Sequence, residues 1–232
     1  MNRQKIGIIG AMVEEIELLH KNVQVTNKTT LAGITYYEGT LNNKHVVYCK
    51  SGVGKVNAAI TTQLLLSFNV DSIWFTGVAG ALDPRLNVGD IVISRSAMQH
   101  DMDVSPLGFP KGVIPFQEVS EFKADTNLVE LAKQAADACF PNRSIIGKVL
   151  SGDQFIASLD KVKELYEQFG GACAEMEAAA VAQVCYTNQK PFVIIRSMSD
   201  KADGSAEVTY HEFVVEAANN SYAIIDYMIA HC

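Results

Sequence analysis

The sequence predicts an α/β protein, a three-layer α/β/α sandwich whose central sheet is mixed and largely parallel. Short runs rich in β-branched residues alternate with helical patterns along all 232 residues, which is typical of strands connected by helices. Most of these runs are continuously apolar, as in strands that helices cover on both faces. No linker or repeat divides the chain, so a single domain spanning residues 1–232 is expected.

The chain begins with a strand, a helix and a pair of strands. Lys5–Ala11 (KIGIIGA) is predicted to be a buried strand because its apolar run is unbroken, and Met12–His20 follows as a helix. Thr35–Leu41 and His45–Ser51 are predicted to pair across a turn at two asparagines, which makes the sheet mixed. Gly54–Ser67 has the apolar spacing of an amphipathic helix.

The middle of the chain continues the alternation of strands and helices. Ser72–Thr76 and Asp90–Ser96 are predicted strands, joined by a turn rich in glycine, proline and asparagine. Asn127–Phe140 is predicted to be a helix, because its apolar spacing is helical and Pro141 stands just beyond it. Ser144–Leu150 is predicted to be the next strand.

The last third adds a helix, a strand, a short helix, a strand and a long final helix. Ser158 is a suitable cap for the first of these helices, and two glycines suit its end. In chain order the predicted elements are Asp160–Phe169, Ala172–Met176, Ala178–Tyr186, Phe192–Met198 and Thr209–His231.

Composition and charge exclude several classes of protein. The chain is 48% hydrophobic and 19% charged, which excludes wholesale disorder. Its formal net charge of −7, without a basic stripe, argues against a nucleic-acid partner. No apolar run approaches the ~20 residues that cross a bilayer, so no association with a membrane is expected. The five cysteines include no CxxC pair, which favours reduced thiols and a cytoplasmic location.

Two polar segments contain incomplete ligand-binding motifs. Gly52-Val53-Gly54-Lys55 follows a strand and opens a helix, but it lacks the first glycine and the final Ser/Thr of a phosphate loop. We interpret it as a tight strand-helix turn, with a nucleoside-binding turn as the alternative. His100-Asp101-Met102-Asp103 offers ligand types for a divalent cation, but no second cluster completes the set. This segment is therefore predicted to be a polar loop that shapes a pocket, without a metal.

Carboxylates at predicted strand ends are more informative, because ligands of α/β folds bind there. Glu175 and Glu177 flank Met176 in an apolar segment, and in an extended chain both would face the same way. Since burying an unpaired polar group is costly, at least one is predicted to face a ligand. Asp200 ends the run PFVIIRSMSD, either as a helix-cap or turn residue or as an acid whose pKa is raised by desolvation. Glu15 stands where a helix begins, a position that the helix dipole alone would favour.

Eight segments, in this order along the chain, resemble one family of enzymes. They are IGIIGAMVEE (6–15), KSGVGKV (50–56), TGVAGAL (76–82), VGDIV (88–92), HDMDV (100–104), SGDQFI (151–156), AEMEAA (174–179) and RSMSD (196–200). Together they resemble the 5′-methylthioadenosine/S-adenosylhomocysteine nucleosidases of the nucleoside phosphorylase superfamily. The resemblance covers about residues 5 to 230.

The resemblance implies hydrolysis of the N-glycosidic bond, with adenine and a 5-thio-substituted ribose as products. Asp200 would protonate N7 of adenine, and Ser199 would help to position Asp200. Glu15 would bind and activate the attacking water. Glu177 would hydrogen-bond to the ribose hydroxyls, and Met176 would pack against the sugar. This assignment fits the chemistry, because the departing base needs an acid and the cation-like sugar needs a carboxylate and water.

The resemblance also implies the remaining contacts with the nucleoside. Phe155 would stack on adenine, the backbone of Ile156 would bind its edge, and Arg196 would lie near the water and Glu15. The other implied pocket residues are Val104, Ala174 and Glu175 around purine and ribose, Val78 where some members have Ser, and Val53, Phe109 and Tyr210 around the 5′ substituent. Leu107 would come from a second subunit of a homodimer. No metal or organic cofactor is required.

Three alternatives remain open from the sequence. A phosphorylase of the same fold would bind phosphate in place of water, although a carboxylate such as Glu15 would repel that anion. A nucleosidase could instead act on another 5′-modified nucleoside, such as 5′-deoxyadenosine or a futalosine. A nucleoside-binding or assembly module without catalysis is the third alternative.

Overall fold

A computed structural model describes residues 4–201 and 206–232, and within those residues ten strands form one mixed sheet. The strands are β1 (Lys5–Gly10), β2 (Gln24–Leu31), β3 (Ile34–Leu41), β4 (Lys44–Lys50), β5 (Ser72–Ala81), β6 (Ile91–Gln99), β7 (Glu121–Lys123), β8 (Ser144–Ser151), β9 (Gly171–Glu175) and β10 (Phe192–Asp200). The α-helices are α1 (Val13–Asn22), α2 (Lys55–Leu66), α3 (Thr126–Cys139), α4 (Leu159–Phe169), α5 (Ala178–Thr187) and α6 (Ala206–His231). A short 3-10 helix spans Ser105–Leu107.

Buried side chains of the strands divide between the two faces of the sheet. In β1, Ile6 and Ile8 pack in one core with α1, α3 and α6, whereas Ile9 packs in the other core with α2 and α5. Trp74 and Phe75 of β5 divide in the same way. Because successive side chains of a strand point to opposite faces, each central strand contributes to two cores. The predicted α/β/α layers are confirmed.

The sheet closes on itself through β5. Parallel pairs join β4, β1, β5 and β10, and β10 continues through β6 and β8 to β9. The last residues of β5 then pair antiparallel with β9, with Gly80 opposite Ala174. All ten residues of β5 are buried. Closure brings the ends of β5, β9 and β10 together.

Two strands were not predicted. β2 consists mostly of exposed polar and β-branched residues, so it lacks the apolar signal of a buried strand. It pairs with the edge of β3 through the tight turn at Ala32 and Gly33. The three-residue β7 is too short for a periodic pattern. By contrast, the predicted turn at Asn42 and Asn43 is confirmed, and both residues have positive φ.

Strand ends differ from the prediction where they approach the cavity described below. β5 continues five residues beyond Thr76, and β10 continues two residues beyond Met198, to Asp200. The β9 strand ends at Glu175, so residues 172–177 are not extended throughout. Ser158 occupies the N-cap position of α4, but its side chain makes no capping hydrogen bond. Among the described residues, none of the helices has the length and apolar character needed to cross a membrane.

Candidate active site

A cavity of about 260 Å³ lies where β1, β5, β9 and β10 end. Its walls contain most of the residues that the sequence singled out. From strand ends and the helices after them come Glu15, Val78, Ala174, Glu175, Met176, Glu177, Ser199 and Asp200. From the loops after β4 and β8 and from α6 come Val53, Phe155, Ile156 and Tyr210.

Three backbone N–H groups hold the carboxylate of Glu15. Its Oε2 accepts hydrogen bonds from the N–H groups of Ala11 at 2.5 Å and Met12 at 3.0 Å. Its Oε1 accepts one from the N–H of Val78 at 3.0 Å. The side chain is buried at the start of α1. The carboxylate is therefore fixed between the ends of β1 and β5.

Burial and charge act on Glu15 in opposite directions. Burial raises the pKa of Glu15, whereas the guanidinium of Arg196 and the three N–H donors lower it. Burial is the larger influence, so the pKa lies above the ordinary value of 4.5. Arg196 is itself buried, with its guanidinium 4.0 Å from the ring centroid of Phe75.

Asp200 lies on the wall of the cavity at the end of β10. The hydroxyl of Ser199 donates a hydrogen bond to Asp200 Oδ2 at 2.8 Å. Both side chains are buried. Asp200 pairs with Gly80 of β5, beyond an irregularity that follows Met198. Glu15 and Asp200, which are far apart in the sequence, thus line the same cavity.

Glu175 lines the cavity, and its carboxylate is bound by other groups of the protein. Arg196 Nη2 lies 2.7 Å from Glu175 Oε2 in a buried ion pair. The hydroxyl of Ser151 also donates to Glu175, as do the backbone N–H groups of Glu177 and Ala178. These two N–H groups begin α5, so the Glu175 carboxylate caps that helix and ends the strand. The predicted extended segment through residue 177 is therefore wrong, although Glu175 and Glu177 both line the cavity.

Glu177 has an unusual electrostatic environment. Its Oε1 accepts a hydrogen bond from the N–H of Gly54 at 2.7 Å. Burial, followed by the negative charge of Glu175, raises the pKa of Glu177 to about 8, although the Gly54 N–H and Arg196 oppose the shift. Near neutral pH this carboxyl can therefore carry or release a proton.

Aromatic and apolar side chains form another part of the cavity wall. The rings of Phe155 and Tyr210 meet edge to face, with centroids 5.8 Å apart. The hydroxyl of Tyr210 donates to Met12 Sδ at 3.0 Å. Burial raises the pKa of Tyr210 to about 12, so its phenol stays neutral and the wall keeps its apolar character.

Four of the singled-out residues do not line the cavity. Val104, Leu107 and Phe109 belong to the segment around the 3-10 helix, and Leu107 is 73% exposed. Arg196 lies behind the wall, beside Glu15 and Glu175. Sequence reasoning missed five wall residues, although all five lie at or just after predicted strand ends, where ligands of α/β folds bind. These residues are Ala11, Met12, Ala79, Gly80 and Gln154.

Among residues 4–201 and 206–232, no group of three or more His, Cys, Asp or Glu side chains is placed to hold a metal ion. In the HDMD segment, Asp101 pairs instead with Lys55, whose Nζ lies 2.5 Å from Asp101 Oδ1.

Comparison with known proteins identifies the family of this chain. The family model described as the phosphorylase superfamily matches residues 5–230. A 5′-methylthioadenosine/S-adenosylhomocysteine nucleosidase of Staphylococcus haemolyticus is 43% identical over 97% of this chain and 98% of its own length. The chain belongs to this nucleosidase family within the phosphorylase superfamily. The resemblance stated from the sequence is confirmed.

Solved structures of the family have the same fold. The nucleosidase of Neisseria meningitidis, solved in complex with methylthio-immucillin-A, superposes with a TM-score of 0.94 at 38% identity, over 99% of this chain and 100% of that one. A futalosine hydrolase of Helicobacter pylori superposes with a TM-score of 0.93 at 33% identity, over 99% of this chain and 98% of that one.

Proposed function

We propose that the protein hydrolyses the N-glycosidic bond of 5′-methylthioadenosine and S-adenosylhomocysteine, releasing adenine and a 5-thio-substituted ribose. One observation carries the proposal: Glu15 and Asp200 line a single cavity together with Glu177 and an apolar aromatic wall. Relatives named for this activity match the chain over nearly its full length. The residue roles that follow belong to the same proposal.

Asp200 acts as the general acid. It donates a proton to N7 of adenine while the bond between C1′ and N9 breaks, so the base leaves as a neutral molecule. Without that proton the leaving group would be an anion in a buried cavity, which is costly. The hydroxyl of Ser199 orients the carboxyl of Asp200 through their 2.8 Å hydrogen bond. General acid catalysis of this kind contributes about 10²- to 10⁴-fold in rate.

Glu15 binds the attacking water. The water oxygen forms the new bond to C1′, and its proton passes to the Glu15 carboxylate. The three N–H donors prevent rotation of this carboxylate, and a fixed carboxylate also stabilises the developing positive charge of the sugar. Arg196, close to Glu15, favours the ionised form that accepts the proton.

Glu177 and the apolar wall place the nucleoside. Glu177 hydrogen-bonds to the ribose hydroxyls, and Met176 packs beside the sugar. Phe155 stacks on adenine while the backbone of Ile156 binds the edge of the base. Tyr210, with Val53, contacts the 5′-alkylthio group, to which their apolar surfaces are suited.

Adenine release from a panel of nucleosides tests this proposal. We expect release from methylthioadenosine and S-adenosylhomocysteine at the same rate with and without phosphate, because Glu15 disfavours an anion at the position of the water. A strict requirement for phosphate would identify a phosphorylase instead. Asp200→Asn, which keeps the shape of the side chain, should lose turnover in the same assay. Asp137→Asn, an exposed aspartate on α3, is the matched control.

A second candidate substrate is a futalosine. The fold similarity to the H. pylori futalosine hydrolase favours its inclusion in the panel. If futalosine is the substrate, cleavage of its N-glycosidic bond would release its base. The kcat/KM for futalosine would then exceed that for methylthioadenosine.

We further propose that residues 1–232 form one domain that assembles as a homodimer in the cytoplasm and contributes to methionine salvage. Exposed apolar side chains support self-association, among them Leu107 and Phe116, which are 73% and 95% exposed. All five cysteines are free in the structure, and three of them are buried, which supports a reducing compartment.

A further inference from the structure

Three loops beside the cavity are joined by one small network of charged groups. Lys55, the first residue of α2, is the cation of the network. Its Nζ lies 2.5 Å from Asp101 Oδ1 and 3.0 Å from Gln99 Oε1. The Lys55 and Asp101 side chains are only 17% and 20% exposed. An ion pair so far removed from water is stronger than an exposed surface pair.

Asp153 closes the network into a triangle. Its Oδ1 accepts the backbone N–H of Lys55 at 2.8 Å. Its own backbone N–H donates to Asp101 Oδ2 at 3.0 Å. Each of Lys55, Asp101 and Asp153 therefore bonds to the other two. Asp101 and Asp153 belong to the loops that follow β6 and β8, and Lys55 begins α2 directly after the loop that follows β4.

Residues of two of these loops, those after β4 and β8, line the cavity. Asp153 directly precedes Gln154, Phe155 and Ile156, all of which line it. Lys55 directly follows Gly54, whose N–H donates to Glu177 Oε1 at 2.7 Å. The network itself lies outside the wall, since none of its three residues lines the cavity.

The network also explains the turn that resembles a phosphate loop. In such a loop the first N–H groups of the helix and the lysine bind phosphate. Here the N–H groups of Gly54 and Lys55 are occupied by the carboxylates of Glu177 and Asp153, and the lysine is occupied by Asp101. The groups that bind phosphate in a phosphate loop thus bind carboxylates of the protein itself here.

We propose that Lys55, Asp101 and Asp153 are positioning residues that set the affinity for the nucleoside. They hold the loop with Phe155 and Ile156, and they hold the Gly54 N–H that orients Glu177. Because they contact neither Glu15 nor Asp200, they affect binding more than bond cleavage. This inference rests on the proposed function.

Steady-state kinetics on methylthioadenosine tests the inference with Lys55→Met and Asp101→Asn. We expect KM to rise by about tenfold in each variant, the change that corresponds to loss of one charged hydrogen bond, with kcat changed by about twofold or less. The double variant should raise KM no further than the more affected single variant, because both changes break the same pair. Lys55→Arg, which keeps a charged donor, should restore most of the affinity.

Matched controls distinguish positioning from general destabilisation. Lys21→Met and Asp137→Asn each break an exposed ion pair on a helix, and both should keep the wild-type KM. Asp153→Ala, which removes the acceptor of the Lys55 backbone N–H, is a second test of the same result if Lys55→Met fails to fold. Lower unfolding temperatures with unchanged KM in the Lys55 and Asp101 variants would overturn the inference. Absence of adenine release from the wild-type protein would instead overturn the proposed function, and the inference with it.

Discussion

Gly77 lies against the carboxylate of Glu15, where β5 passes the cavity. A Cβ atom at this position would overlap Glu15 Oε1, and it would lie 2.9 Å from Glu15 Cδ and 3.1 Å from Arg196 Nη1. Residue 77 must therefore be glycine if Glu15 is to keep its three hydrogen bonds. This requirement is a matter of space, since the backbone here is an ordinary buried strand.

Gly77→Ala should displace Glu15 and reduce kcat by at least about tenfold. The overpacking should also lower the free energy of unfolding by about 1–3 kcal/mol. Adenine release and thermal unfolding measure the two effects. Wild-type kcat in this variant would contradict the assignment of Glu15 as the residue that holds water.

Glu177 makes stability depend on pH because its pKa is raised from 4.5 to about 8. Between these values the folded protein holds a proton that the unfolded chain has lost, so this carboxyl contributes less stability as pH rises through that interval. We expect the unfolding temperature of Glu177→Gln, relative to wild type, to increase between about pH 5 and pH 8. Glu216→Gln, a change at an exposed position of α6, should show no such increase. The reverse trend would contradict burial as the dominant influence on Glu177.

The long helix α6 is joined to β5 by buried hydroxyl groups. The Oγ1 of Thr76 lies 2.5 Å from Ser221 Oγ, and Ser221 Oγ accepts the N–H of Gly77 at 3.0 Å. Ser221→Ala leaves these buried groups without their partner, so we expect a loss of about 1–3 kcal/mol in the free energy of unfolding. Denaturant titration measures it, and Ser67→Ala at the exposed end of α2 is the control. A loss in Ser221→Ala no larger than in the control would show that the hydroxyl contributes nothing to the docking of α6.

The segment around Leu107 would connect the site to assembly in the proposed homodimer. Leu107 is 73% exposed in an isolated chain, and the proposed homodimer would cover it. We expect Leu107→Asp to weaken self-association, since a carboxylate resists burial in an apolar interface. It should also raise KM for methylthioadenosine if the partner completes the pocket. Sedimentation velocity and steady-state kinetics measure these effects, with Val215→Asp, at another exposed apolar position, as the control. A stable dimer in Leu107→Asp would place the interface elsewhere.

Much of the fold and of the candidate site could be predicted from local patterns. The apolar runs of β1, β4, β5, β8 and β10 identified buried strands, because helices cover both faces and leave no polar alternation. Glu15, Asp200 and Glu177 were singled out as acids at the edges of apolar segments, and all three line one cavity. A local pattern was sufficient here because the order of apolar and polar residues along one segment reflects both its burial and the position where the strand ends.

Other features depend on contacts between distant residues. Glu175 is an ion-pair partner and a helix cap because Arg196, 21 positions away, lies beside it. Lys55 forms an ion pair with Asp101, 46 positions away, although the residues next to Lys55 resemble a phosphate-binding loop. The closure of the sheet likewise joins β5 to β9 and β10.

The sequence alone determined where most strands and helices lie, which faces are apolar and which acids stand at strand ends. The tertiary structure decided how far strands continue, which strands pair around the closed sheet, and whether a carboxylate faces the cavity or another side chain. The physical reason is that periodicity reflects burial along one segment, whereas pairing and electrostatic environment depend on groups that only folding brings together.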